Sequence, residues 1–129
     1  MRTDRQQVGD YGEAVAARYL RLRGYRIVAR NWHADRREID IVAVRLGVIA
    51  FVEVKTRTYT DAEFDELPPP RRAVDRDKQR FTRAAAGPYL YTHPTRRKPR
   101  MDVMEVSLAP APAGKKPRIR RIHHLTGAY

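Results

Sequence analysis

Glu38-Ile39-Asp40-Ile41-Val42-Ala43-Val44, then Arg45-Leu46-Gly47, then Val48-Ile49-Ala50-Phe51-Val52-Glu53-Val54-Lys55 is the stretch whose reading decides the fold. Two short β-branched runs flank a tight turn carrying a glycine, which is a hairpin signal. Charge sits inside both runs: Asp40 in the first, Glu53 and Lys55 in the second. Side chains alternate along a strand, so Glu53 and Lys55 share a face. An even turn pairs Arg45 with Val48 and, counting back, sets Asp40 directly opposite Glu53. An odd turn slips the register by one and sends Asp40 to the other face. In the even register two carboxylates face each other among Val42, Phe51 and Val54. That arrangement calls for a cation.

The whole chain, 129 residues, is one domain's worth. No apolar run is long enough to span a bilayer and the N-terminus is not signal-like, so a membrane is not expected. The absence of cysteine removes disulfides and thiolate metal sites and fits a cytoplasmic location. The formal charge of +12, from 27 Lys+Arg against 15 Asp+Glu, points to a polyanionic partner, nucleic acid above all.

Thr3-Asp4-Arg5-Gln6 has the form of a capping box. Val8, Tyr11, Val15, Tyr19 and Leu22 then recur at helical spacing up to a stop at Gly24. Glu13 lies at the border of that face. It is an ordinary solvated residue unless the helix packs across the hairpin, where it would lean over Asp40. Tyr25 to Arg30 reads as a strand and Asn31 to Arg37 as a loop, with Trp32 a core plug and His33 exposed. Thr56 to Arg72 is polar and Pro-rich and reads as loop, its acidic cluster a solvated charge run. Val74 to Ala86 is helical again and ends at Gly87-Pro88, with Tyr89-Leu90-Tyr91 adding at most a short turn of helix. Met101 to Leu108 alternates as a fourth strand. Residues 109–117 form a linker-like Pro/Ala/Gly stretch, and Arg118 to Leu125 an arginine-rich edge strand. His123 and His124, adjacent on a strand, point to opposite faces and do not form a two-His metal site.

An Asp and a Glu-x-Lys on one face of a hairpin suit metal-dependent phosphodiester chemistry. Mg²⁺ takes one or two carboxylates and completes its shell with waters and substrate phosphate. The co-facial lysine can hold or deprotonate the attacking water and offset charge developing on phosphorus.

Asp40 followed by Glu53-Val54-Lys55 resembles the PD-(D/E)XK motif of the restriction-endonuclease-like superfamily. With Glu13 on the preceding helix, the spacing is similar to that of archaeal Holliday-junction resolvases. Gly12-Glu13, Tyr19-Leu20, Gly24-Tyr25, Arg30-Asn31, Glu38-Ile39-Asp40, Phe51 to Arg57 and Arg100 to Val103 together resemble the YraN-like family of bacterial proteins, described as endonucleases. The chain departs from that family at Arg37, where a glycine is usual, in the loop after Arg57, where a glycine is also usual, and at Gly87-Pro88, which interrupts what the family keeps as one helix. The resemblance implies an α/β fold with a restriction-endonuclease-like core, a mixed central sheet flanked by helices. It also implies Asp40 and Glu53 as ligands of Mg²⁺ (or Mn²⁺), Lys55 as the catalytic lysine and Glu13 as an assisting carboxylate. The expected activity is Mg²⁺-dependent endonucleolytic hydrolysis of DNA, branched or repair-related structures included. The alternative is a non-catalytic nucleic-acid-binding protein on the same fold, and a third reading makes Lys55 a bridge between Asp40 and Glu53 in a plain ion-pair cluster. Arg30, Arg57, Lys78 and Arg100 are the expected phosphate contacts. A homodimer is expected by analogy with the resolvases.

Overall fold

The computed structural model describes residues 4–34, 36–69 and 76–127. Helix α1 (Asp4–Leu22) is followed by the strands β1 (Arg26–Ala34), β2 (Arg37–Arg45) and β3 (Val48–Thr58). Then come the short helix α2 (Asp61–Asp65), α3 (Arg76–Thr92), β4 (Lys98–Ala109) and β5 (Arg118–Leu125). The strands form one mixed sheet in the order β1-β2-β3-β4-β5, antiparallel except where β3 runs parallel to β4. A parallel neighbour cannot be reached by a hairpin, and the chain crosses over between β3 and β4 through α2 and α3. The architecture is mixed α/β, compatible with a restriction-endonuclease-like core.

Alternation along the central strands supplies a core on each face. Ile41, Ala43, Ala50, Val52, Met104 and Val106 pack with Val15, Ala16 and Leu20 of α1. Val42, Val44, Ile49 and Phe51 pack with Ala85, Ala86 and Tyr89 of α3. Helix α1 ends at Gly24, whose φ of 90° only glycine adopts cheaply. Tyr25 N donates to Leu20 O (3.0 Å) and Gly24 N to Arg21 O (3.1 Å), the two bonds of a Schellman cap. Thr3 of the expected capping box lies outside the described residues.

The hairpin parity is even: Arg45 pairs with Val48 across Leu46-Gly47, with Leu46 itself in the left-handed region at φ 51°. Four expectations are corrected. Residues 31–34 are strand, because Trp32 is held against Ile39 in the ladder and edge-on to Tyr89 at 5.2 Å. His33 is exposed and paired with Glu38 at 3.7 Å. The segment after Thr56 is not all loop: β3 continues to Thr58 beside β4, and Thr60 and Glu63 close a capping box that starts α2. Helix α3 does not stop at Gly87-Pro88 but runs on to Thr92 with Pro88 inside it. Proline deletes one helical hydrogen bond, yet burial of Tyr89 against Phe51 and Trp32 holds the next turn in place. Finally, the β2–β3 ladder ends at Ile41–Val52, one pair short of the expected Asp40–Glu53 opposition. Arg118–Leu125 is the expected edge strand, paired on one side with β4.

Candidate active site at a fork in the sheet

The early end of the β2–β3 ladder creates the site. Strand β2 stays paired with β1 back to Arg37, and β3 stays paired with β4 out to Thr58. The sheet therefore forks beyond Ile41 and Val52. The pleat of β2 breaks there too: Ile39 and Val42 both pack on the α3 side while Ile41 packs on the α1 side. Strict alternation cannot place residues three apart on one face, so Asp40 turns toward α1 along with Ile41. Its Oδ2 accepts a hydrogen bond from Val54 N at 2.8 Å. This amide points at β2 with no strand carbonyl to receive it, and the carboxylate takes the place of the missing ladder bond.

Helix α1 brings the second acid. It crosses β3 so closely that a Cβ on Gly12 would stand 2.7 Å from Thr56 Cβ, so only glycine permits the approach. The next residue, Glu13, hangs over the fork. Asp40 and Glu13 line one cleft of about 420 Å³ with Arg5, Val54, Thr56 and Arg57. Burial pushes the Glu13 carboxyl up to about 7, nearby Asp40 adds to the rise, and Arg30 pulls against it. Burial likewise lifts Asp40 to about 6; the Val54 amide opposes this, while Glu38 and Glu53 add to it. The Asn31 side chain, its NH₂ turned to Glu13, donates to both carboxylate oxygens at 3.0 and 3.1 Å. Asn31 reaches this position from a left-handed backbone, φ 51°, a conformation that asparagine tolerates better than most residues.

With this geometry in view, the chain's relatives can be placed. Residues 12–106 match the uncharacterised protein family UPF0102. A UPF0102 protein of Caldanaerobacter subterraneus subsp. tengcongensis is 33% identical over 129 residues, covering 99% of this chain and 98% of the relative. One from Clavibacter michiganensis subsp. michiganensis is 41% identical over 105 residues, 81% of this chain and 85% of the relative. One from Porphyromonas gingivalis is 36% identical over 126 residues, 98% and 86%. The chain belongs to the UPF0102 family.

The span shared with UPF0102 holds Glu13, Asp40, Glu53 and Lys55 and stops before β5. Strand β3 keeps an unbroken register with β4, so Val54 and Thr56 face α1 while Glu53 and Lys55 fall on the side of Phe51. Both are half-buried. Glu53 is close enough for its charge to raise Asp40. Lys55 stands beside Glu105 in the parallel register. The structure thus sets Asp40 and Glu13 in one cleft, brings Glu53 within electrostatic reach of Asp40, and places Lys55 on Glu53's side of the strand. Among the described residues, no three His, Cys, Asp or Glu side chains gather closely enough to cage a metal. Paired carboxylates left open to water and phosphate are what Mg²⁺ ordinarily uses, and the oxygen donors here are of that kind.

Of the expected phosphate contacts, Arg57 lines the cleft and Arg30 acts on Glu13. Lys78 lies near the start of α3, its side chain outside the described residues. Arg100 is elsewhere and already engaged. Its Nε and Nη2 bind the two oxygens of Asp102 at 2.8 and 2.7 Å, and Nη2 also reaches the Tyr25 hydroxyl at 2.6 Å. Asn31 was the missed residue: a polar side chain next to Arg30, inside the family-like pattern, was a signal with no role attached to it. No helix among the described residues is long and apolar enough to cross a membrane.

Proposed function

We propose that this UPF0102 chain is a Mg²⁺-dependent endonuclease that hydrolyses phosphodiester bonds in DNA, with Mn²⁺ able to substitute. The observation that carries the reading is an electrostatic contradiction. A chain of net charge +12 concentrates Asp40 and Glu13 in one cleft and raises both carboxyls toward neutrality, to about 6 and about 7. Carboxyls raised in this way beside a cleft mark functional sites more often than structural ones. A divalent cation would offset it, with Asp40 and Glu53 as protein ligands from the two sides of the fork. A bound Mg²⁺ supplies Lewis acidity toward a phosphoryl oxygen and lowers the pKa of water.

The protein's own groups then have distinct tasks. Val54 N–H fixes the Asp40 carboxylate, and Asn31 fixes Glu13. Glu13, raised to about 7, is poised to accept a proton from water near neutral pH. Arg57 and Arg30 steer the phosphate backbone into the cleft. Lys55 offsets charge at the phosphorus from Glu53's side of β3.

One observation favours a non-cleaving nucleic-acid binder instead: Glu53 and Lys55 alternate away from the face that Glu13 and Asp40 share. The test is cleavage of linear, single-stranded and four-way DNA with Mg²⁺ or Mn²⁺. Wild type should cut at least one of these. Asp40→Asn and Lys55→Ala should each lose on the order of 10²-fold or more in rate while still binding. Binding without cleavage on every substrate would favour the binder, and variants as active as wild type would place the chemistry elsewhere.

A further inference from the structure

We infer that a second cleft, beside the Asp40 site, holds the base of an unpaired nucleotide, which makes DNA with a single-stranded segment the substrate class. The inference rests on the nuclease reading and narrows it.

The N-terminal half of α1 is a partition. Arg5, Gly9 and Glu13, each four residues from the next, face the catalytic cleft, while Gln7 and Tyr11, also four apart, face another. Val8 is the ridge between them, and Thr58 is common to both. The second cleft measures about 490 Å³, within the range of small-ligand sites. Its far wall is the segment 109–117, where Pro110 and Pro112 alternate with alanines and Pro117 closes the stretch. Prolines have no N–H, so this wall offers apolar ring faces and little donor capacity. Gly114, at φ 80°, and the bond from Lys115 N to Pro112 O (3.1 Å) turn the segment back, placing Lys115 on the cleft.

A slot bounded by a tyrosine ring and proline rings, with one amide and one cation beside it, suits a flat heteroaromatic group on an anionic tether. Its shared wall with the Asp40 cleft identifies that tether as the phosphate backbone proposed to enter there. Bases within a duplex are stacked and paired and are not available to such a slot, whereas an unpaired nucleotide is. The chain's excess of positive charge fits the same polymer.

The test is binding in EDTA, followed by fluorescence anisotropy, with a DNA duplex, the same duplex bearing an oligo-dT tail, and tails carrying one abasic site at successive positions. Wild type should prefer the tailed duplex and lose about tenfold in affinity when the base at one particular position is missing. Tyr11→Ala should erase that abasic effect and leave affinity for blunt duplex unchanged. Tyr11 also packs on the α1 core, so Ala111→Asp, which puts a carboxylate into the cleft from the opposite wall, should erase the effect with α1 intact. Equal affinity for every abasic tail, or an abasic effect that survives both substitutions, would overturn the inference. Cleavage is scored separately: an abasic effect without cleavage upholds the slot and removes the nuclease, and cleavage without an abasic effect does the reverse.

Discussion

Asp40 and Asp102 are both inward-facing aspartates on the central sheet, and they are treated in opposite ways. Asp102 is fully buried and fully served. Arg100 grips it through two nitrogens, His124 Nε2 donates at 2.8 Å and Gly127 N at 3.0 Å. Burial alone would raise its carboxyl, but the bonds from His124, Arg100 and Gly127 outweigh burial and hold it below the ordinary range. Among the described residues Asp40 receives a backbone bond from Val54, stands among other carboxylates, and is raised to about 6. Where the fold needs a buried charge it completes the charge's partners, as at Asp102; at Asp40 it leaves the carboxylate short of a cationic partner, which is the place the proposed metal would take. The first arrangement ties β5 and the residues after it to β4, and the second keeps a cleft open at the fork.

The comparison can be broken first at Asp102. Replacing it with alanine strands the Arg100 guanidinium and should cost about 3–5 kcal/mol, measured by urea unfolding. A loss under 1 kcal/mol would mean the network contributes little. Next in size is Gly12→Ala, whose added methyl collides with Thr56. It should cost about 1–3 kcal/mol by overpacking and lift Glu13 away from the cleft, so that activity falls beyond what the stability loss explains. A Gly12→Ala protein with wild-type stability and rate would contradict the close crossing. Smallest is Asn31→Ala, which removes two hydrogen bonds to Glu13 and should cost about 1 kcal/mol. Titration followed by NMR should show the Glu13 carboxyl moving further up; no movement would place Asn31 outside the site.

Much of the architecture could be read because strands buried on both faces show as unbroken apolar runs, as in Val42 to Val44 and Ile49 to Val52. Helix α1 was legible from its spacing and from the glycine at its end. Other features depended on tertiary contacts that no local rule carries. Trp32 reads as loop until Ile39 and Tyr89 surround it. Pro88 reads as a stop until burial of Tyr89 outweighs one lost hydrogen bond. The capping box at Thr60 and Glu63 was in plain sight, obscured by the acidic and Pro-rich composition around it. At the site, the even parity of the hairpin followed from counting. The fork did not, since a ladder's end depends on where neighbouring strands carry their partners. Arg100 read as a phosphate contact because its partner, two residues on, looked like one more position in an alternating strand.

The pH dependence of the two aspartates follows from their directions. Asp102, depressed in the fold, stabilises the protein above its unfolded pKa, and that contribution is lost only as the pH falls through the lower folded value. Asp40, raised from 3.8 to about 6, binds more protons folded than unfolded between those values, so metal-free stability falls as the pH rises through that window. The decisive measurement is therefore the melting temperature of wild type and Asp40→Asn at pH 8, with EDTA and with millimolar Mn²⁺ or Mg²⁺. Asparagine keeps the acceptor for Val54 N and removes the charge. In EDTA, Asp40→Asn should melt above wild type, reflecting a gain in stability on the order of 2 kcal/mol. The cation should raise wild type and leave the variant nearly where it was. A wild-type protein indifferent to the ion, together with an Asp40→Asn variant less stable than wild type, would make Asp40 an ordinary structural aspartate and contradict a metal site at the fork.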